Sequence, residues 1–354
     1  MFMKKSLLTA AGFIIAAASF TSCSSADNSS VSQETSTSEV SVMDEESKTD
    51  TSETESDSEP FSVVCTIFPE YDWAKEILGS HAENAEISYL LDSGTDLHNY
   101  QPTADDIVKI STCDLFIYVG GESDEWAEDA LANSVNPDMK VVSLMDVLGD
   151  SAKVEELKEG MQGEEEEDEE GEEEEPEYDE HVWLSLKNAK VLCAEIEKNI
   201  EAIDSANAAD YKANLDSYIL KLDELDNSFK ALVDGASVKT LVFGDRFPFR
   251  YFTDDYGLDY YAAFIGCSAE SEASFETIKF LADKINELDC DTVFTLENSS
   301  KDIAESVISN SGKDGVQIAE LNSLQSVSQA DISSGVSYIS LMQKNYDVLA
   351  DVLK

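Results

Sequence analysis

A chain of 354 residues, 42% of them hydrophobic, has the material for two domains with cores of their own, which excludes a protein disordered throughout. Its formal net charge of −52 excludes nucleic acid and anionic membrane surfaces as partners, because Coulomb repulsion opposes both. Cations are the natural ligands of such a chain, and with only three histidines, His98 and His181 have to be weighed as metal ligands.

The chain opens on Met1-Phe2-Met3-Lys4-Lys5, then an apolar run from Leu7 to Phe20, then Thr21-Ser22-Cys23. A basic start, an apolar stretch too short to span a bilayer comfortably and small residues at its end form an export signal, residues 1–22. Cys23 behind small residues resembles the lipobox of bacterial lipoproteins, although Phe20 stands where that motif usually has Leu; an ordinary signal peptide is the alternative. Residues 24–60 hold eleven acids against the single base Lys48 and almost nothing apolar, so segment 23–60 reads as a lipidated, acidic tether that self-repulsion keeps extended.

Order is expected from Phe61. Strand-like Val63–Phe68, Ile87–Leu91, Leu115–Val119 and Val141–Leu144 alternate with helix-like Trp73–Leu78, Ala104–Ile110 and Trp126–Leu131. The same alternation returns later, with strands at Leu241–Phe243, Tyr260–Ile265, Thr292–Leu296 and Val316–Ile318 and helices over 274–288, 299–309 and 336–353. The fold class is therefore α/β, with two lobes, each a mainly parallel sheet flanked by helices. Between them Tyr211, Leu215, Tyr218, Ile219, Leu222, Leu225, Phe229 and Leu232 recur at helical spacing. That predicts one long rigid helix over about 206–233, roughly 42 Å at 1.5 Å per residue, and Gly235 ends it. The expected division is an N-terminal lobe over 61–205, carrying an acidic insert within 160–180, a linking helix over 206–235, and a C-terminal lobe over 236–354. If Cys23 is lipidated, five cysteines remain. Cys65, Cys113 and Cys193 have apolar neighbours typical of buried thiols, whereas Cys267 and Cys290 are left open between free thiols and a disulfide.

Two short segments carry the chemistry. Asp96-Leu97-His98-Asn99-Tyr100 precedes a helix whose expected N-cap is Thr103, with Asp105 and Asp106 in its first turn, so cap chemistry fixes the loop that holds His98. Asp179-Glu180-His181-Val182-Trp183 lies behind a run, 164–180, of fourteen acids and no base, and ahead of another helix start at Lys187-Asn188-Ala189.

Over residues 61–354 these features resemble the zinc and manganese substrate-binding lipoproteins of bacterial ABC transporters. The resemblance rests on Pro69 with Tyr71, on His98-Asn99-Tyr100-Gln101-Pro102-Thr103, and on His181-Val182-Trp183-Leu184 with Lys187-Asn188-Ala189. Tyr251-Phe252, Tyr256-Gly257-Leu258 and the segment from Tyr338 to Asn345 support it. It implies a receptor anchored through Cys23 to the outer face of the cell membrane, which captures Zn²⁺ between its lobes for an ABC permease; Mn²⁺ is the alternative cargo. It also implies that His98 and His181 are metal ligands. The family's third ligand, a His or Glu early in the second lobe, falls on Arg246, which cannot ligate a cation, and its usual late acid falls on Asn322. Asp245 and Glu297 are the substitute candidates. The acidic run stands where zinc-binding members often carry a His-rich insert, and carboxylates there can concentrate cations and steer them towards His181. Two imidazoles with one or two carboxylates suit Zn²⁺, and the affinity order places it above Mn²⁺. No catalysis is implied. A zinc hydrolase is the enzymatic rival, though no His-Glu-x-x-His occurs, and a surface adhesin is the other.

Overall fold

The computed structural model describes residues 60–163, 177–268 and 272–353. The expected signal peptide, Cys23 with the tether as far as Glu59, and residues 164–176 of the acidic insert lie outside the described residues.

The first lobe is built from β1 (Phe61–Cys65), α1 (Phe68–Leu78), β2 (Ala85–Tyr89), α2 (Ala104–Thr112), β3 (Leu115–Tyr118), α3 (Trp126–Ala132), β4 (Lys140–Ser143), α4 (Leu144–Leu148) and α5 (Leu186–Ile203). Its four strands run parallel in the order β2-β1-β3-β4. The order reverses direction between β1 and β3, the switch point where open α/β sheets leave a crevice outside their carboxyl ends. In this order the loops after β1 and β3 border that crevice. The expected cap forms, since Thr103 accepts from the Asp106 N–H at 3.3 Å, and the Asp106 carboxylate accepts from Thr103 Oγ1 at 2.7 Å and from Tyr100 Oη at 2.9 Å.

Next comes α6 (Ala208–Gly235), whose 28 residues match the predicted length. Tyr211, Leu215, Tyr218, Leu222, Leu225, Phe229 and Val233 are buried along one stripe. Burying each large apolar side chain of this kind contributes about 1.5–3 kcal/mol, so the stripe fixes the helix against its neighbours.

The second lobe contains β5 (Thr240–Val242), β6 (Arg246–Phe247), α7 (Arg250–Tyr256), β7 (Asp259–Tyr261), β8 (Phe264–Ile265), α8 (Phe275–Glu287), β9 (Thr292–Leu296), α9 (Asp302–Ser311), β10 (Gln317–Leu321), α10 (Gln329–Ser333) and α11 (Tyr338–Val352). All its strand pairs are parallel: β5 with β7, β6 with β8, and β9 with β10. A parallel bridge between Phe243 and Phe294 joins the first pair to the last. The single strand expected over Tyr260–Ile265 is two, β7 and β8, because Ala263 N–H turns to the Asp245 carbonyl at 3.1 Å and the chain changes partner there.

Packing makes the two lobes one body. The principal core runs from Phe61 to Leu353 through α1, α5, α6 and α11. Trp183 Nε1 donates to the Ser323 carbonyl at 2.9 Å, and Tyr338 Oη donates to the Trp183 carbonyl at 2.6 Å. A smaller core, including Val242, Phe264, Leu281, Val293 and Val307, sits under α8 and α9. Cys65, Cys113, Cys193, Cys267 and Cys290 are all free thiols, the first three buried.

Candidate metal centre

His98 lies in the loop after β2, on a short 3-10 turn, Leu97–Asn99, whose N-cap is Asp96. His181 precedes another, Val182–Leu184, which leads through the Ser185 cap into α5. Eighty-three residues apart in sequence, the two rings meet with their Nε2 atoms 3.2 Å apart. The His98 side chain is 5% exposed and that of His181 is fully buried.

Each ring has its other nitrogen occupied. His181 Nδ1 donates to Asp179 Oδ1 at 3.0 Å, and the same oxygen accepts the His181 backbone N–H at 2.8 Å. His98 Nδ1 is 2.6 Å from Ser123 Oγ and 3.6 Å from Glu180 Oε2, while Glu180 Oε1 accepts the Ser123 N–H at 2.8 Å. Of two consecutive acids, Asp179 thus orients the His181 imidazole directly, and Glu180 holds Ser123, which contacts the His98 imidazole. The Asp179 carboxylate fixes the His181 tautomer, and the contacts at Nδ1 turn both Nε2 atoms towards the place where the rings converge.

The electrostatics differ between the rings. Burial, the neighbouring His181 and the Arg246 guanidinium hold His98 down at about 3, against the pull of Asp96, so it is neutral at physiological pH. Burial also pushes His181 down, but Asp179, Glu180 and Glu155 outweigh it and its pKa is raised. The two converging Nε2 atoms are nitrogens of the kind that could hold a divalent cation.

The acidic insert is tied to this centre at its base. Val154 and Tyr178 form an antiparallel bridge, the Glu155 N–H donates to the Glu177 carbonyl at 2.9 Å, and the Asp179 N–H donates to the Lys153 carbonyl at 2.9 Å. The clamp places Glu155, Asp179 and Glu180 beside the rings. Beneath it a cavity of about 220 Å³ is lined by His98, Ser123, Glu155, Glu180 and Cys267, among others.

The carboxylates of Asp245 and Glu297 are not brought to the imidazoles. Asp245 Oδ1 accepts the Arg246 N–H at 2.9 Å and Oδ2 the Leu296 N–H at 3.0 Å. Glu297 receives the Ser323 N–H and hydroxyl, each at 2.7 Å. Backbone donors left over at strand ends claim these acids, because a buried N–H without an acceptor is costly. Both line a separate crevice of about 380 Å³ together with Asp96 and Arg246. Arg246, at the position the resemblance reserves for a ligand, instead bonds Asp96 Oδ2 at 2.5 Å and so grips the loop that carries His98.

Sequence reasoning missed Cys267. Among the described residues, the one group of three or more His, Cys, Asp or Glu ligand atoms within 4.8 Å of one another is His98, His181 and Cys267. Its only signal in the sequence was a glycine-preceded cysteine behind a strand-like run, which no local pattern connects to either histidine.

The family model described as zinc-uptake complex component A, periplasmic (ZnuA), matches residues 63–352. The zinc-binding lipoprotein AdcA of Streptococcus pneumoniae is 29% identical over 288 residues, 81% of this chain and 55% of that protein. The high-affinity zinc uptake system protein ZnuA of Bacillus subtilis is 29% identical over 300 residues, 84% of this chain and 89% of that one. The crystal structure of the Zn(II)-bound ZnuA-like domain of S. pneumoniae AdcA has a TM-score of 0.65 at 26% identity, covering 83% of this chain and 99% of that one. The chain spans about half the length of the AdcA proteins it matches.

Proposed function

Because the chain belongs to the ZnuA family of zinc-uptake components, we propose that it captures Zn²⁺ between its two lobes and hands it to an ABC permease. In this reading the protein is exported and held at the outer face of the membrane through a lipid on Cys23. Among the described residues, no helix is long and apolar enough to cross a membrane.

One observation carries the reading: two buried imidazoles with Nε2 atoms 3.2 Å apart, each ring turned there by a bond at Nδ1. Two like ring nitrogens at that separation in a buried site need a proton or a cation between them. Zn²⁺ is favoured over Mn²⁺ because imidazole suits it and the affinity order places it higher. His98 and His181 are the proposed ligands. The core running through both lobes favours release by movement of the ligand loops over a wide hinge opening.

Titrating the metal-stripped soluble form, starting after Cys23, with Zn²⁺ and Mn²⁺ tests the proposal, alongside His98→Ala, His181→Ala and a deletion of 164–176. One tight zinc site that disappears in either histidine variant and survives the deletion is the expected result. Weak, multiple binding that vanishes with the insert would end the receptor reading.

A further inference from the structure

The second lobe presents its strand ends to the crevice, yet the groups expected there do not reach the imidazoles. Asp245 and Glu297 are bonded elsewhere, and Arg246 is paired with Asp96. We propose that Cys267 supplies this lobe's ligand, as a thiolate joining His98 and His181, and that this sulfur restricts the cargo to thiophilic divalent cations such as Zn²⁺ and Cd²⁺ rather than Mn²⁺. The inference rests on the receptor reading above and deepens it.

The loop is built to hold the sulfur in place. Cys267 follows β8 by one residue, Gly266, and a Cβ on that glycine would lie 3.1 Å from His181 Nδ1 and Cε1 and 3.0 Å from the Phe247 carbonyl. The bare glycine therefore lets the backbone lie directly on the His181 ring, which brings the next side chain to the cluster. The Cys267 N–H donates to Glu155 Oε1 at 3.1 Å, which pins the loop to the base of the insert.

A second observation points independently to a cation. Glu180 is 2% exposed, and its Oε2 is buried without a hydrogen-bond partner in the cavity that Cys267 and His98 also line. An unsatisfied buried carboxylate oxygen is costly, and a positive charge arriving at the cluster offsets that cost. As the S–metal bond forms, the thiol proton leaves to solvent, and one thiolate with two neutral imidazoles leaves the bound divalent ion with a single net positive charge. Thiolate and imidazole are donors that Zn²⁺ accepts readily, whereas Mn²⁺ prefers oxygen.

Cobalt(II) is the probe for this ligand set. The metal-stripped soluble protein, titrated with Co²⁺, is expected to develop visible d–d bands together with a near-ultraviolet thiolate-to-cobalt charge-transfer band. Cys267→Ser should keep the visible bands, lose the charge-transfer band, and weaken Zn²⁺ by at least the roughly hundredfold that removing a group which only orients a ligand can cost, while leaving Mn²⁺ nearly unchanged. Cys290→Ser should change neither signal. If wild type shows the visible bands without charge transfer, cobalt sits on the imidazoles alone, and the thiolate proposal falls while the receptor reading stands. If neither Co²⁺ nor Zn²⁺ binds, the receptor reading falls with it. The wild-type spectrum decides even if the serine variant does not fold.

Discussion

Asp179→Asn isolates what the bond to the His181 ring contributes. Asp179 is 2% exposed, and its Oδ1 accepts both the His181 backbone N–H at 2.8 Å and Nδ1 at 3.0 Å. Its other bonds, from its N–H to the Lys153 carbonyl and from Tyr251 Oη to its own carbonyl, are made by main-chain atoms and survive the substitution. The change therefore removes a charge and leaves the scaffold. A hydrogen bond to a charged acceptor contributes about 1.5–3 kcal/mol and a neutral one about 0.5–1.5 kcal/mol. The difference, about 1–1.5 kcal/mol, corresponds to roughly a tenfold rise in Kd for zinc. The amide can also turn its NH₂ towards Nδ1, selecting the tautomer that points an N–H at the cluster, so the loss extends towards a hundredfold, the upper range for groups that orient a metal-ligating histidine. Competition against a chromophoric chelator reads the Kd, and a thermal melt of the metal-free form reads the fold. A Kd within twofold of wild type, with an unchanged melt, would refute the claim that Asp179 sets the ring.

Two further predictions address the other ring and the core. In Gly121→Ala the new methyl would lie 2.2 Å from Glu180 Oε1, which accepts the Ser123 N–H, and Ser123 Oγ holds His98 Nδ1. Overpacking of this kind costs about 1–3 kcal/mol of stability, and the disturbed His98 should weaken zinc roughly tenfold in the same titration; unchanged affinity would mean that Glu180 and Ser123 do not position His98. Glu70 is fully buried, and burial pushes its carboxyl up to about 8 despite bonds from Ile67 N–H, Thr66 N–H and Thr66 Oγ1. Its folded pKa lies above the unfolded value near 4.5, so the folded state binds the extra proton between these values. The stability it contributes is present below about 4.5 and is lost as pH rises through about 8. Urea unfolding of the metal-free protein at pH 5, 6.5 and 8 should show stability falling with pH. Glu70→Gln should flatten that fall by up to about 1.4 kcal/mol per pH unit, whereas an equally steep slope in the variant would assign the effect elsewhere.

The sequence by itself determined the local elements, because their signals are local. Alternating strand and helix patterns predicted two parallel α/β lobes. The stripe from Tyr211 to Leu232 predicted α6 to within two residues at either end, and Thr103 with Asp106 made the helix cap expected of them. The approach of His98 and His181 was legible only through the resemblance, since nothing in either segment encodes a partner 83 residues away. Tertiary structure decided the rest. Asp245 and Glu297 looked like crevice acids at strand ends, but which donors reach a carboxylate depends on neighbouring strands and loops, and backbone N–H groups and Ser323 had claimed them. Arg246 became the clamp on Asp96, and the strand expected over Tyr260–Ile265 changed partner at Ala263. That break sends β8 to β6 and, through Gly266, sets Cys267 against the His181 ring. A cysteine's neighbours in space depend on strand pairing and close backbone approach, neither of which is written in the residues beside it.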